Sequence, residues 1–302
     1  MDRLRQIEVF VTVVEKGSFV GAGEALNLSR AAVSKSVSEL EKRVGGRLLQ
    51  RTTRRISLTE AGTAYYQRCK HILDQVDEAD QAVGVVTGRA VGRLKVNAPL
   101  SFGIQYLGNL WGPFLKQYPE LELEIVLSDQ LVDVIDEGYD AVIRISKLVD
   151  STLIQRRLTS TRLIPCASAD YIHAHGIPLK PEALSKHATI GYLYGGGRDI
   201  WSFTAADGRV SDITTQPTIR ANNGDTCKAL ALSGQGIALL PDFLIWQELR
   251  QQKLLPILPE YQVAELGIYI VYPSRKQLSA KVRAFIDFLL AAFARPPWLS
   301  SE

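Results

Sequence analysis

Cysteine is scarce: the 302 residues hold three, Cys69, Cys166 and Cys227. An odd, widely spaced set excludes the paired framework of a secreted scaffold, and without a CxxC pair the usual zinc site is missing too. Reduced, mostly buried thiols are expected. Long apolar runs are also lacking. The strongest, Phe285 to Ala294, is interrupted by Asp287 and falls short of the roughly 20 residues that a membrane span needs. Residues 1–19 place Glu8, Glu15 and Lys16 around a short apolar stretch and offer no small-residue cleavage site, which is not the pattern of a secretory signal. A cytoplasmic protein with no membrane partner is the expectation. Enzyme signatures are absent as well: there is no GxxxxGK[ST] phosphate loop, no GxSxG elbow and no HExxH helix. Gly195, Gly196 and Gly197 have no Lys and Ser behind them and read as a loop. His173 and His175 lack nearby cysteine or carboxylate partners, and Asp136 and Glu137, being adjacent, would not face one another on a helix. No catalytic site, metal or cofactor is expected.

What remains is a globular composition, 46% hydrophobic and 22% charged, in a chain with room for about two domains. The net charge of +3 hides an asymmetry: residues 1–70 carry 13 Lys and Arg against 7 Asp and Glu, and the remainder carries 22 against 25. A polyanion-binding module fused to a mildly acidic remainder would show this, and so would a solvated surface. Charge alone does not choose between them, so the residue pattern must.

Leu4, Ile7, Val11 and Val14, with Phe10 beside them, recur at steps of three and four and predict one apolar helix face. Gly17 stops that helix and Ser18 caps a second through Leu26, whose Ala22, Ala25 and Leu26 permit close packing. Asn27 and Leu28 turn the chain. Ser29 then caps a third helix in which Val33, Val37, Leu40 and Val44 face the same core, before Gly45 and Gly46 end it. The opposite face presents Arg30, Ala31, Ser34, Lys35 and Ser38, short or basic side chains that leave the helix slim enough for a DNA major groove. Arg30 can bond guanine, Ala31 can touch a thymine methyl, and Ser34 can reach a base edge or phosphate, while Lys35 and Lys42 neutralise phosphates. Arg47 to Thr59 follows as a basic hairpin, with Ile56 and Leu58 on one side of a strand and Thr53 and Arg54 near the turn. Arg54 at the tip suits the minor groove, and Arg51 and Arg55 suit the backbone. Each arginine taken singly reads as a solvated charge; the ordered set is what is specific.

In that order the residues resemble the winged helix-turn-helix of LysR-type transcriptional regulators. The match runs through Phe10, Gly17 to Phe19, Ala22, Ala25, Leu26, Ser29 to Ser34, Leu40, Glu41, Gly45, Arg47, Leu48, Arg51 and Leu58 to Gly62. The resemblance implies a helix-turn-helix proper from Phe19 to Ser38. Its DNA-contacting set would be Ser29, Arg30, Ala31, Ser34, Lys35, Ser38, Arg51, Arg54 and Arg55, with Arg30 standing where many members carry glutamine.

Thr59 can cap a further helix, with Glu60 at its positive end, along which Tyr65, Cys69, Ile72, Val76, Ala79, Val83 and Val86 alternate by four and three. From Glu60 to Thr87, at about 1.5 Å per residue, it would run roughly 40 Å, too long for the small module alone to bury. A second copy of the chain is the favoured partner for this seam, ahead of the chain's own C-terminal domain. The resemblance implies the same, since in the family this helix makes the dimer.

After Gly88 strands and helices alternate: strand 93–97, helix 101–117, strand 121–127, a short helix near 131–136 and strand 141–145. Then come strand 163–167, helix 169–173, strands 189–192 and 218–221, a helix after Gly224, strand 237–240 and a helix from Pro241. Parallel sheet in two lobes is the consequence. Leu266 to Tyr272 forms a last strand, and Ser279 caps a helix carrying Val282, Ile286, Leu289 and Phe293 that returns the chain to the first lobe. Residues 90–293 resemble the effector-binding domain of the same family, which has the bilobed fold of type 2 periplasmic binding proteins, most closely at 97–103, 127–129, 140–145 and 233–243. By that resemblance the effector lies between the lobes against Ser101, Phe102, Ser128, Arg144, Ile145, Asn222, Asn223 and Thr226. Independently, Ser101 and the 222–226 stretch precede helices whose N-termini offer N–H groups to an anion, which points to a small carboxylate. The same residues also read as ordinary caps and turns, and Arg144 as half of an ion pair. Trp201 and Phe203 are candidates for an aromatic wall, although core packing is commoner.

The expected architecture is thus α/β with an N-terminal all-α winged helix-turn-helix (1–59), a long linker helix for dimerisation (60–88) and a bilobed effector-binding domain (89–302). The expected function is sequence-specific regulation of transcription by a homodimer or homotetramer on an interrupted palindrome of double-stranded DNA. A small-molecule effector would alter DNA bending and RNA polymerase access. Two rivals stay open: a thiol-based redox sensor using Cys166 and Cys227, and a solute-binding protein, which would leave the basic N-terminal module unexplained.

Overall fold

The computed structural model describes residues 2–51, 56–87, 89–147, 153–194, 199–273 and 278–299, with the backbone alone for Arg51, Asp74 and residues 77–87. The chain divides into two compact units between Thr87 and Gly88.

In the first unit, α1 (Arg3–Lys16), α2 (Phe19–Leu26) and α3 (Arg30–Val44) each begin on a side-chain oxygen. Asp2 accepts the N–H of Arg5, Ser18 that of Gly21 and Ser29 that of Ala32, so one orphan donor of each helix is satisfied. Gly17, Asn27 and Gly45, with φ of 61°, 53° and 74°, turn the chain out of the helices. Phe10, Val33, Val37 and Leu40 are fully buried between them. Val44 was expected on this face but is 39% exposed, because the helix ends at that residue and overshoots the core. Strands β1 (Leu49–Arg51) and β2 (Ile56–Leu58) pair antiparallel as the wing. One carboxylate oxygen of Glu41 accepts the N–H groups of Leu48 and Leu49 at 2.8 and 3.1 Å, tying the wing to α3.

Helix α4 (Glu60–Thr87) starts on Thr59, whose Oγ1 accepts the Gly62 N–H at 2.9 Å. A Cβ on Gly62 would lie 2.0 Å from the Leu48 carbonyl oxygen, so only glycine lets the helix cross the wing this closely. The seam expected to face a single partner divides. Tyr65 packs its ring 5.8 Å from that of Phe10, and Cys69 is buried in the same core with Tyr66 and Leu73 alongside, whereas Ile72 is 41% exposed. The first turns therefore complete the chain's own module.

The second unit runs β3 (Gly92–Ala98), α5 (Leu100–Phe102), a π-helical turn (Gly103–Leu107), α6 (Trp111–Gln117), β4 (Leu121–Leu127), β5 (Ala141–Ser146), β6 (Ile154–Ser168) and α7 (Ala169–His175). It continues through β7 (Thr189–Tyr192), β8 (Ile200–Thr204), β9 (Val210–Thr214), β10 (Ile219–Ala221), α8 (Gly224–Leu232), β11 (Ile237–Pro241), α9 (Asp242–Arg250), β12 (Leu254–Pro256), β13 (Glu265–Tyr272) and α10 (Ala280–Ala292). The strand order is β10-β7-β11-β6-β13-β5-β3-β4, with β12 also on β6. β3 is parallel to β4 and β5, and β7 to β10 and β11, whereas β13 and β6 run antiparallel to their neighbours. Residues 154–162 of β6 pair with β13, and residues 163–168 pair with β11 and β12. The chain thus crosses from the first lobe to the second between Arg162 and Leu163, and β13 with α10 returns it.

Two expectations for this unit are corrected, and one element is new. The single helix over 101–117 is broken: Gly108 N–H bonds to the Gly103 carbonyl, a five-residue step, and a Cβ on Gly103 would meet Leu127 at 2.3 Å. No helix forms at 131–136, where Asp133 accepts the N–H groups of Ile135 and Asp136, each at 2.9 Å, and closes a turn instead. The hairpin of β8 and β9 was not foreseen. No helix among the described residues is long and apolar enough to cross a membrane.

Candidate functional site

In α3, burying Val33, Ser36, Val37 and Leu40 forces Arg30, Ala31 and Lys35 outward, with Ser34 and Ser38 half-buried beside them. Ser29 spends its hydroxyl on the cap, accepting the Ala32 N–H at 3.2 Å. Lys35 stands 3.9 Å from Glu39, an exposed and therefore weak pair. The helix that should read bases presents one slim, basic face. Arg51 lies in β1 by its backbone, and its side chain, like Thr53, Arg54 and Arg55, falls outside the described residues.

A cleft of about 1000 Å³ lies between the two lobes of the second unit. The first lobe contributes the C-terminal ends of β3, β4 and β5 with the residues after them: Ser101, Ser128, Asp129, Arg144, Ile145 and Lys147. The second contributes Tyr192, Tyr194, Trp201, Arg220 and Gly224. Ligands gather at such strand ends because side chains and helix N-termini converge there. Ser101 is 4% exposed and its Oγ has no hydrogen-bond partner, an orphan that a ligand oxygen or nitrogen would satisfy. Gly224 keeps that hydroxyl open, since a Cβ there would approach it to 3.3 Å. Asp129 accepts the Leu100 N–H at 2.7 Å and lies close to the Tyr192 phenol of the other lobe. Burial raises the Asp129 carboxyl above the ordinary carboxylate range and pushes the Tyr192 phenol up, with the Asp129 charge adding to the latter. Arg220 is neutralised by Asp199 at 2.5 Å. Among the described residues Arg144 and Lys147 make no ion pair; Arg144 instead donates to the Val132 carbonyl, so the ion-pair alternative for it is not what forms. The cleft has an acidic, hydrogen-bonding part at Ser101, Asp129 and Tyr192 and two positive side chains.

Of the residues expected to touch an effector, Ser101, Ser128, Arg144 and Ile145 line the cleft together. Phe102 does not: its ring is fully buried, 5.4 Å from Phe243 and 5.2 Å from Phe293, because the side chain after Ser101 on a helix points away from it into the core. Asn222, Asn223 and Thr226 are outside the lining too. Asn223 uses its Oδ1 to accept the Thr226 N–H at 2.8 Å and its Nδ2 to reach Asn222, so the stretch acts as a cap while Gly224 reaches the cleft. Trp201 lines the cleft, whereas Phe203 is buried in the core of the second lobe. Asp129, Tyr192 and Lys147 also line the cleft and were not among the expected residues. Each ends or follows a strand that the sequence does place, and that position was the available signal.

The three thiols are buried and free. Burial holds Cys166 at about 12 and Cys227 at about 11, so both stay protonated.

A winged helix-turn-helix and a two-lobed α/β unit with a ligand-sized cleft, in one chain, define a DNA-binding regulator with a sensory domain. Residues 4–63 match the family described as "Bacterial regulatory helix-turn-helix protein, lysR family", and residues 87–294 match the "LysR substrate binding domain". The chain belongs to the LysR family of transcriptional regulators. It is similar to an uncharacterized HTH-type transcriptional regulator of Haemophilus influenzae, 36% identical over 93% of this chain and 98% of that protein. Among solved structures it resembles the LysR-type regulator CrgA of Neisseria meningitidis at 34% identity and TM-score 0.61, covering 96% of this chain and 99% of that one. It also resembles the full-length virulence activator AphB of Vibrio cholerae at 26% identity and TM-score 0.64, covering 96% and 99%.

Proposed function

We propose that this regulator acts in the cytoplasm and binds an interrupted palindrome as a dimer, or as a tetramer of two dimers. A small carboxylate held between its lobes changes how it bends DNA and admits RNA polymerase. Residues 1–59 form the DNA-binding domain, 60–88 the dimer helix and 89–302 the effector domain. Ser29, Arg30, Ala31, Ser34, Lys35 and Ser38, with Arg51, Arg54 and Arg55 of the wing, contact DNA; Ser101, Ser128, Arg144 and Ile145 contact the effector. The observation that carries the DNA half is the slim exposed face of α3. For the effector half it is the orphan Ser101 hydroxyl in a cleft that also holds Arg144 and Lys147.

Selection of bound fragments from fragmented genomic DNA, at physiological salt, tests the first half. Enrichment of one palindromic site is expected; sequence-blind, salt-sensitive binding would reduce the module to a general DNA anchor. A thermal-shift series of small carboxylates against matched amides tests the second. Stabilisation by amides as strong as by acids would remove the carboxylate assignment. The thiol-sensor alternative has less support, since buried, protonated sulfurs are poor nucleophiles.

A further inference from the structure

The two lobes are joined where β6 passes Arg162 to Leu163 and where the chain returns into β13, the Leu163 N–H bonding the Ala264 carbonyl between the two crossings. A two-stranded ribbon twists easily, so packing beside it must fix the angle between lobes. That packing is aromatic. Tyr106 of the first lobe donates to the Phe243 carbonyl of the second at 2.5 Å and accepts from Trp246 Nε1 at 3.1 Å. Into this junction the C-terminal tail inserts Trp298, 2% exposed, with its ring 4.7 Å from Tyr106 and 6.1 Å from both Phe102 and Phe243. Its Nε1 donates to the Ser160 carbonyl at 2.9 Å, two residues before the lower end of the crossing. Trp298 thus touches both lobes and the strand that joins them. Two of the residues around it bear on the cleft: Phe243 lines it, and Phe102 follows Ser101 directly.

We propose that Trp298 is a positioning residue for the cleft: a wedge supplied by the C-terminal tail that sets the angle between the lobes and holds Ser101 opposite Gly224. Closing the lobes requires rings to slide edge-to-face past this indole, while the bond to Ser160 keeps the pivot on β6. Ordinary core packing would make Trp298 matter for stability alone; a wedge also makes it matter for the lobe angle.

The interlobe distance can be read without an effector. Leu131 and Leu193 line the cleft from opposite lobes and are 80% and 53% exposed, and the native cysteines are buried. Spin labels on Leu131→Cys and Leu193→Cys of the full chain, diluted with unlabelled chain, report the distance by pulsed dipolar spectroscopy. The parent is expected to give one narrow distribution. Trp298→Phe, which keeps a ring but loses the N–H, is expected to broaden it and shift its mean by several ångström while the chain still melts cooperatively. Trp298→Ala is expected to broaden it further. Distributions for Trp298→Phe that superimpose on the parent's, whatever happens to the melting temperature, would overturn the proposal; should Trp298→Ala fail to fold, the phenylalanine variant decides alone.

Discussion

At the scale of single residues, the chemistry of the second unit follows from burial. Asp129 binds its proton more tightly folded than unfolded, because desolvation comes first among its influences and outweighs the Leu100 N–H bond. The sign is therefore the reverse of the usual carboxylate. Its contribution to stability is present below the ordinary value of 3.8 and lost as pH rises through the raised one, so the ionised carboxylate costs stability at neutral pH. Asp129→Asn keeps an Oδ1 for the Leu100 N–H and cannot ionise. Calorimetry of the full chain should show this variant melting above the parent at pH 7 and the gap closing toward pH 4; a gap independent of pH would mean that ionisation is not its origin. The buried thiols lead to a second expectation. Ellman's reagent should leave the native chain untouched and titrate its sulfurs after denaturation, and rapid reaction of Cys166 or Cys227 in the native state would restore the redox reading. Of three residues that sequence reasoning put against an effector, Ser101 and Ser128 line the cleft and Phe102 does not. That reasoning could not have done otherwise: neighbouring residues on a helix differ by about 100° in direction, and only the phase of the helix tells which one faces the cleft.

At the scale of elements, α1 to α3 were legible because caps, left-handed stops and apolar spacing agree with one another there, although Leu4 and Val44, expected on the buried face, are 40% and 39% exposed, and the turn of the wing lies outside the described residues. Glu41 shows what stayed hidden. Its carboxylate anchors β1 across the loop, a contact that no periodicity announces. Elements whose local signals conflict were misjudged: Gly103 and Gly108 break a helix that apolar spacing alone would continue, and Asp133 prefers a turn. Strand β6 was expected over five residues and runs from Ile154 to Ser168, since Arg156 and Arg157 disguise its first half as loop. The exposed face of α3 carries a division of labour that can be measured. Arg30→Ala should lose discrimination at one base pair by about 1–3 kcal/mol, whereas Lys35→Ala should weaken specific and random DNA alike and reduce the salt slope by about one unit. Equal losses on specific and random DNA for Arg30→Ala would take base reading away from that residue.

At the scale of the whole molecule, the proposed dimer makes a testable demand on α4. Tyr65 and Cys69 belong to the winged module's own core, so the helix is rooted there and its inner turns are already occupied. Further along, Ile72 is exposed and Val76 half-buried, and the four-and-three spacing carries on through Ala79, Val83 and Val86. If α4 carries the proposed dimer seam, the register of that seam begins at Ile72, two turns later than the spacing alone suggests. Placing a charge there separates dimerisation from folding. Glu at both Ile72 and Val76 should leave the melting of the winged module close to the parent's, because neither side chain serves its buried core, yet yield a monomer in sedimentation. Losing the linkage between two half-sites should then weaken binding to a full palindrome by about 10²–10⁴-fold while sparing binding to an isolated half-site. A variant that still sediments as a dimer would move the interface off α4, and one that loses half-site binding as well would show that these residues support the module itself.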